Sequence, residues 1–452
     1  MNSIFEENGY EAFLVGGAVR DVLMGKEPSD YDVATNAEPE QVMKIFRKVI
    51  PTGIAHGTVT VHFMQSEIEV TTFRTESDYS DGRHPDNVAF TRNLNEDLSR
   101  RDFTMNAIAA SLKDEKIIDP FDGQKDIKNR TIRTVGNPYE RFLEDGLRPI
   151  RAIRFSAKLN FKIEDETLKA ISAPEILEKT KSVSLERFRD ELLKLVQAEK
   201  PSDGLKIMEK TGILHIFMPE FDACRGCVQQ DFRGFHEFDV LDHLFYACDG
   251  APKAKINVRM AALLHDIGKP AAKKIVQTPQ GETNTFYRHE QYSAEIARKM
   301  LFRLKFSNAE IENICHLIEN HMFNYEPTWK DSAVRRFLVK VKAENVEDLF
   351  DLRLADIYGM HNLPVRLHDS PAAALLLEFK ERIEKEEQKK NALSLKSLAV
   401  NGKNLMEIGI PSGKELGIIL NELFETVLED PSQNEKETLL NIAKKIYENR
   451  NL

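Results

Sequence analysis

The sequence predicts a multidomain protein with an α/β head at its N terminus and helices over the remainder. Three observations predict it. The chain has 452 residues, more than one core holds, so about three folding units of ordinary size are expected. Roughly the first 125 residues alternate short helical and strand patterns. From about residue 139 apolar residues recur at spacings of three and four, as in "LERFRDELLKLV" and "LFETVLEDP".

In the head, "AFLV" reads as a strand, Gly16-Gly17 as a turn, and "AVRDVLMG" as a helix closed by Gly25. "TVTVHFM" and "IEVTTF" alternate apolar and polar residues as hairpin strands do, with Gln65, Ser66 and Glu67 between them. From Glu76 to Phe90, "ESDYSDGRHPDNVAF" is polar, carries turn residues and has few anchors, so it is expected to be a mobile loop. The chain beyond residue 139 is expected to be all-α. Within it, "KERIEKEEQKKN" near residues 380–391 reads as a solvated helix or linker.

Composition excludes some classes of protein. A net charge of -10 argues against a uniformly basic nucleic-acid binder, so any such surface is local. The run Arg130, Arg133, Arg141, Arg148, Arg151, Arg154 and Lys158 is the candidate, with a solvated helix face as its plain alternative. The start has no signal-peptide pattern and no stretch reaches transmembrane length, so a cytoplasmic chain without a membrane partner is expected. Cys224 and Cys227 form a lone C-x-x-C and read as reduced thiols in a loop, because no second pair completes a zinc site.

Two stretches carry metal chemistry. In "PSDYDVAT", Asp30 and Asp32 are two apart, and on a strand both carboxylates would face one way, where they can bridge two magnesium ions. An Asp-rich turn is the alternative. Upstream, Gly16 and Gly17 in "VGGAVRD" open a helix whose free N–H groups can cradle a phosphate, with Arg20 one turn on. Glu69 in "IEVTTFR" is a candidate third carboxylate or an ordinary solvent-facing strand residue. In "ALLHDIGKP", His265 and Asp266 stand side by side like half of a second metal site.

"LVGGAVRDVLMGKEPSDYDVAT", "RRDFTMNAIA", "DPFDGQKDIKNRTIRTVGNP" and "RFLEDGLRPIRAIRF" together resemble the class II tRNA nucleotidyltransferase and poly(A) polymerase family, of the DNA polymerase β superfamily. The likeness runs in order over about 200 residues, with "SLERFRDELLKL" as a further family-like helix. It implies that Asp30 and Asp32 bind the catalytic metals, and that Arg101, Asp102 and Asn106 contact the sugar and phosphates of an incoming nucleotide. In "EDGLR", it sets Asp145 and Arg148 against the base. A carboxylate accepts from an exocyclic amine and a guanidinium donates to a ring nitrogen or carbonyl, which suits cytosine and adenine. Uracil and guanine would aim a carbonyl at the carboxylate. With both on one helix face, Pro149 requires that helix to start near Glu144 or Asp145. Arg151 is assigned to phosphate, and Arg154 to phosphate or packing.

The region "PTGIAHGTVTVHFM" lacks the basic element of the polyadenylating relatives and resembles the CCA-adding branch. Arg83 and His84 lie in a segment like the flexible loop that CC-adding relatives lack. His243, His265 with Asp266, His289, His321 and Asp356 fall in the order of an HD domain over residues 236–370, with His243, His265, Asp266 and Asp356 as the expected ligands of a divalent metal. The resemblance therefore implies a nucleotidyltransferase head at residues 1–128, a nucleotide-selecting helical neck at 129–200 and a helical body or linker at 201–235. An HD domain at 236–370 and a helical, tRNA-binding tail at 371–452 follow, with Gly413 to Gly417 as a turn between tail helices. The expected activity is addition of C, C and A to tRNA from CTP and ATP, with magnesium at the first site and a secondary phosphohydrolase at the second. Addition of A alone or CC alone, poly(A) synthesis, and an RNA-binding HD phosphohydrolase are the alternatives. Oligomeric state is open at this stage.

Overall fold

A computed structural model describes residues 1–28, 30–77, 87–229, 237–279, 281–362, 371–389 and 393–450. The chain divides into two compact units. The first holds Met1–Asp222 with Met300–Ser307, and the second holds Ala223–Lys299 with Asn308–Leu452.

The N-terminal part of the first unit holds the strands β1 (Ala12–Val15), β2 (Asp32–Thr35), β3 (Val49–Gly53), β4 (Thr58–Phe63), β5 (Ser66–Thr72), β6 (Arg74–Ser77), β7 (Asn87–Phe90), β8 (Ala109–Ser111) and β9 (Ile117–Ile118). Seven form one sheet in the order β3-β4-β5-β2-β1-β8-β9. Its pairs are antiparallel except β2 with β5, which are parallel. The two-residue period sorts the strand side chains between two cores. Val33, Val59, Val61 and Val70 pack with Phe5 and Phe46, while Val15, Ala34 and Ala109 pack with Phe73, Leu98 and Val135. Both faces of the sheet are therefore covered by apolar side chains.

The β4–β5 hairpin closes through Met64 and Gln65 alone, both at positive φ, so Ser66 and Glu67 belong to β5 and not to the expected turn. The polar stretch also differs from expectation. Its two ends pair as the antiparallel β6 and β7, and residues 78–86 lie outside the described part.

From Pro138 the first unit is mainly helical. The helix Leu147–Leu159 packs on Leu185–Val196, whose Phe188, Leu192, Leu195 and Val196 are buried at the spacing the sequence shows. The all-α expectation fails in two places. A short parallel pair, β10 (Thr131–Ile132) with β11 (Lys162–Ile163), reaches past residue 139, and the second unit carries the hairpin β12 (Lys274–Thr278) and β13 (Gly281–Thr285).

In the second unit, Val240–Gly250, Ile256–Leu264, Asn308–Asn320 and Val346–His361 pack together, and their heavily apolar faces explain why polar residues stand out there. The charged stretch near residue 380 is the helix Pro371–Gln388, anchored by a buried Glu386 that pairs with Arg335 at 2.8 Å. The tail helices Lys414–Glu429 and Lys436–Arg450 close over Leu405, Ile419, Leu423, Val427 and Leu439. Gly413 caps the first of them and Gly417 is inside it, so the expected Gly413–Gly417 turn is a helix start. Among the described residues no helix is long and apolar enough to cross a membrane.

Candidate nucleotide cleft and metal centre

A cleft of about 430 Å³ opens in the first unit, lined by Gly16, Gly17, Arg20 and Asp32 on one side and by Asp145, Arg148, Arg151 and Arg187 on the other. Gly16 lines it with bare backbone. Its φ of 68° with ψ of -134° is open only to glycine, and a Cβ there would sit 3.2 Å from Arg101 Nη1 and 3.4 Å from Asp32 Oδ2. A guanidinium and a carboxylate thus converge over bare backbone at a helix start.

The carboxylates gather around the start of β2. Asp32 is the first residue of β2, and the parallel register sets it opposite Glu69 of β5. Asp30 precedes the strand in a bend, so the pair does not share a strand face as the spacing suggested. Charge still couples them. Burial raises Asp32 above its ordinary value and Asp30 adds to this, against Arg101, while desolvation and then Asp32 raise Glu69. Like charges held this close favour a bound cation, so these residues fit divalent ions.

The cleft wall is a chain of fixed polar groups. Arg20 Nη1 donates to Asn106 Oδ1 at 2.9 Å, Asn106 Nδ2 donates to Asp102 Oδ1 at 3.1 Å, and Arg151 Nε donates to Asp102 Oδ2 at 2.8 Å. Against its burial, Arg151 and Asn106 hold Asp102 down to about 2. Arg101 is held by Asp97 at 3.3 Å, and its Nε is buried with no hydrogen-bond partner among the described residues. An unpartnered buried donor beside an open cleft is a ready site for a phosphate oxygen. Arg154 is buried against Glu191 and serves packing.

Asp145 and Arg148 meet the cleft in a way the sequence did not suggest. The helix Pro138–Glu144 ends before Asp145, and the next begins at Leu147, so Asp145 lies in the break with φ -137° and ψ 112°. The two remain tied, since the Arg148 amide donates to the Asp145 carbonyl at 3.0 Å. Pro149 sits in the first turn, where its missing N–H costs nothing. Arg148 donates to the carbonyls of Arg141 at 3.0 Å and Arg100 at 3.1 Å and pairs with Glu144, so its guanidinium is held in one orientation. Arg187 grips Asp145 with both prongs, Nη1 to Oδ1 at 3.1 Å and Nη2 to Oδ2 at 2.8 Å. Sequence reading missed Arg187. Its only signal was membership of "SLERFRDELLKL", in which no residue stood out.

The basic run is not a single face. Arg148 and Arg154 are buried, and Arg133 pairs with Asp126 at 3.1 Å and Glu164 at 3.4 Å. Arg83 and His84 lie outside the described residues. Cys224 and Cys227 are buried thiols, with desolvation raising Cys227.

The second unit holds a buried cluster in which ligand atoms of His243, His265, Asp266 and Asp356 all lie within 4.8 Å of one another. A second group, Asp266, His289 and His321, shares the same carboxylate. Asp266 Oδ2 is 3.2 Å from Nε2 of both His243 and His265, whereas Oδ1 is 3.0 Å from Nε2 of His289. His265, His289 and His321 donate Nδ1–H to carbonyls three residues back, at 2.8, 2.8 and 2.7 Å. Each therefore points its Nε2 inward, the orientation that prepares an imidazole to ligate. Lys269 Nζ is 2.5 Å from Asp266 Oδ2 and donates to Gln229 at 2.6 Å. Against burial, Asp266 and Asp356 raise His265 to about 10, while burial and the charge of His265 push His321 down to about 3. Asp266 Oδ1 is buried and makes no hydrogen bond among the described residues. This donor set fits divalent ions.

A mixed-sheet head with carboxylates around the start of β2, a helical neck presenting a carboxylate and a guanidinium to the same cleft, and a histidine-rich helical centre define a nucleotidyltransferase with an HD domain. Residues 12–133 match the Poly A polymerase head domain, 160–225 the probable RNA and SrmB-binding site of polymerase A, and 234–361 the HD domain. The chain belongs to the CCA-adding enzyme family. It is 34% identical over 444 residues to the CCA-adding enzyme of Levilactobacillus brevis, covering 96% of this chain and 94% of that one. Over 210 residues it is 50% identical to the CCA-adding enzyme of Limosilactobacillus reuteri, covering 46% of this chain and 51% of that one. The crystal structure of the Bacillus stearothermophilus CCA-adding enzyme in complex with CTP superposes with a TM-score of 0.74 at 28% identity, covering 100% of this chain and 96% of that one. The Thermotoga maritima CCA-adding enzyme complexed with tRNA, at 18% identity and a TM-score of 0.53, shares the fold.

Proposed function

We propose that the protein adds C, C and A to the 3′ end of tRNA from CTP and ATP without a nucleic-acid template, releasing pyrophosphate. The observation that carries this reading is one cleft lined both by Asp32 beneath Arg101 and by the Asp145–Arg148 pair. Phosphate chemistry and base selection are thereby joined in a single site.

In this reading Asp30 and Asp32, with Glu69, hold two magnesium ions, whose chemistry is activation of the tRNA 3′-hydroxyl and neutralisation of the triphosphate. Arg20, Arg101 and Arg151, with the Gly16–Gly17 backbone, bind the triphosphate, and Asp102 and Asn106 keep these groups in place while contacting the sugar. Asp145 accepts from N4 of cytosine or N6 of adenine, and Arg148 donates to the neighbouring ring acceptor. Arg83 and His84 are assigned to addition of the final A. The head, neck, body, HD and tail boundaries given above belong to the same reading, with tRNA recognised by shape through the helical parts. The reading places the chain in the cytoplasm.

The HD centre is a separate site. His243, His265, Asp266 and Asp356 would hold one divalent ion, and Asp266 with His289 and His321 would supply ligands for another. Such a centre supports hydrolysis of phosphate esters, for which cyclic or phosphorylated RNA ends are the substrates of choice.

The deciding experiment supplies tRNA ending before CC, after CC and after CCA with CTP and ATP separately, and sequences the products. Two C residues on the first, one A on the second and none on the third are expected. Long A tails, or A addition without C addition, would refute the reading, as would incorporation surviving in Asp30→Ala/Asp32→Ala.

A further inference from the structure

We propose that Arg187 is a positioning residue for base selection, restricting Asp145 to a single free acceptor site aimed at the incoming base. The inference rests on the reading of Asp145 as the base-facing carboxylate. A carboxylate offers about four lone-pair directions, two on each oxygen. On Oδ1 both are taken, by Arg187 Nη1 at 3.1 Å and by the Leu147 amide at 2.9 Å. On Oδ2, Arg187 Nη2 takes one at 2.8 Å. One direction remains, on Oδ2. Both side chains line the cleft, so this last acceptor is presented to a ligand there.

One free lone pair matches the feature that cytosine and adenine share, a single amine N–H on the reading edge. A carbonyl in that position, as in uracil or guanine, meets an acceptor that can neither turn away nor donate. The two-pronged grip removes the rotation by which a lone carboxylate would otherwise relieve the clash or recruit a bridging water. The Leu147 amide adds a backbone restraint on the same group. Arg187 thus acts through Asp145 and gives the cleft its intolerance of the wrong bases.

A purely structural role makes a different prediction. Arg187 lies on the helix Leu185–Val196 and ties it to the break between Pro138–Glu144 and Leu147–Leu159. Loss of such a tie lowers stability and slows addition of every nucleotide alike.

The test measures kcat and KM for CTP and UTP on tRNA ending before CC, and for ATP and GTP on tRNA ending in CC. It uses the full-length parent, Arg187→Lys, Arg187→Ala and Asp145→Ala, each with a thermal melt. Lysine keeps the charge and loses the fork, so it separates charge from geometry. Discrimination of CTP over UTP and of ATP over GTP is expected to fall about tenfold or more in Arg187→Ala and part of the way in Arg187→Lys, carried mainly by KM. Ratios equal to the parent's in Arg187→Lys and Arg187→Ala, with equal losses for all four nucleotides, would overturn the proposal. Should the alanine variant fail to fold, a folded Arg187→Lys decides alone. If Asp145→Ala leaves the ratios unchanged, the underlying reading of Asp145 fails; if it relaxes them and the Arg187 variants do not, only the role of Arg187 fails.

Discussion

Asp102 and Arg151, 49 residues apart in the chain, meet in a tight ion pair in which Nε and Nη2 of the arginine lie 2.8 and 2.7 Å from one carboxylate oxygen. The pair joins the head to the neck within the first unit. It holds the Asp102 carboxyl down to about 2 from an ordinary 3.8. A depressed carboxylate contributes stability that is present above the unfolded value and lost as pH falls through the folded one. Here the window runs from about pH 4 to about pH 2, and about 2 kcal/mol is at stake. Urea unfolding at pH about 5 and about 2 is expected to show the parent losing about 2 kcal/mol more than Asp102→Asn across that interval. Parallel losses would show that the pair does not carry the acid sensitivity.

Gly16 makes a second test possible. Its left-handed φ of 68° strains any side chain, and a Cβ 3.2 Å from Arg101 Nη1 would require that arginine to give way. Gly16→Ala is expected to cost about 1–3 kcal/mol through backbone strain and to raise KM for both CTP and ATP, because Arg101 is displaced from the phosphate position. A melt and steady-state kinetics read the two effects separately.

Gly146 matters for a different reason. Its backbone is ordinary, but an added Cβ would lie 2.5 Å from the Lys179 carbonyl oxygen, a main-chain atom that cannot swing aside. Gly146→Ala therefore has to open the helix break that carries Asp145. A loss of about 1–3 kcal/mol is expected, with weakened nucleotide selectivity measured as the CTP to UTP ratio.

The HD centre makes a prediction that is independent of nucleotide addition. Elemental analysis of protein dialysed against a divalent metal is expected to find two HD-bound ions per chain, falling to one in His289→Ala/His321→Ala. The chelated protein is expected to melt at a lower temperature, because ions that bind only the folded centre stabilise it by mass action. His265→Ala is expected to abolish phosphohydrolase activity and leave CCA addition within about twofold of the parent, since its side chain has no part in the cleft.

Several features were legible in the sequence, and for a common reason. The Gly16-Gly17 turn, the β4–β5 hairpin and the amphipathic helix Leu185–Val196 depend on residues a few positions apart, whose relative placement the backbone geometry dictates. The same locality made Asp30 and Asp32, "EDGLR" and "LLHDIGKP" recognisable as chemistry. It also misled. Two-residue spacing suggested a shared strand face for Asp30 and Asp32, yet the strand starts at Asp32, and three-residue spacing suggested one helix for Asp145 and Arg148, yet Asp145 lies in a break.

Tertiary structure alone decided the relations between distant segments. Only the parallel register of β2 and β5 sets Glu69 opposite Asp32, a carboxylate that reads equally well as a solvent-facing strand residue in the sequence. Only the packing of Leu185–Val196 on Leu147–Leu159 delivers Arg187 to Asp145, and only the assembly of the HD helices turns the two oxygens of Asp266 toward different histidines. Such contacts are chosen by the burial of whole helix and sheet faces. That energy is summed over many apolar residues and leaves no mark on the polar residue that is carried into place.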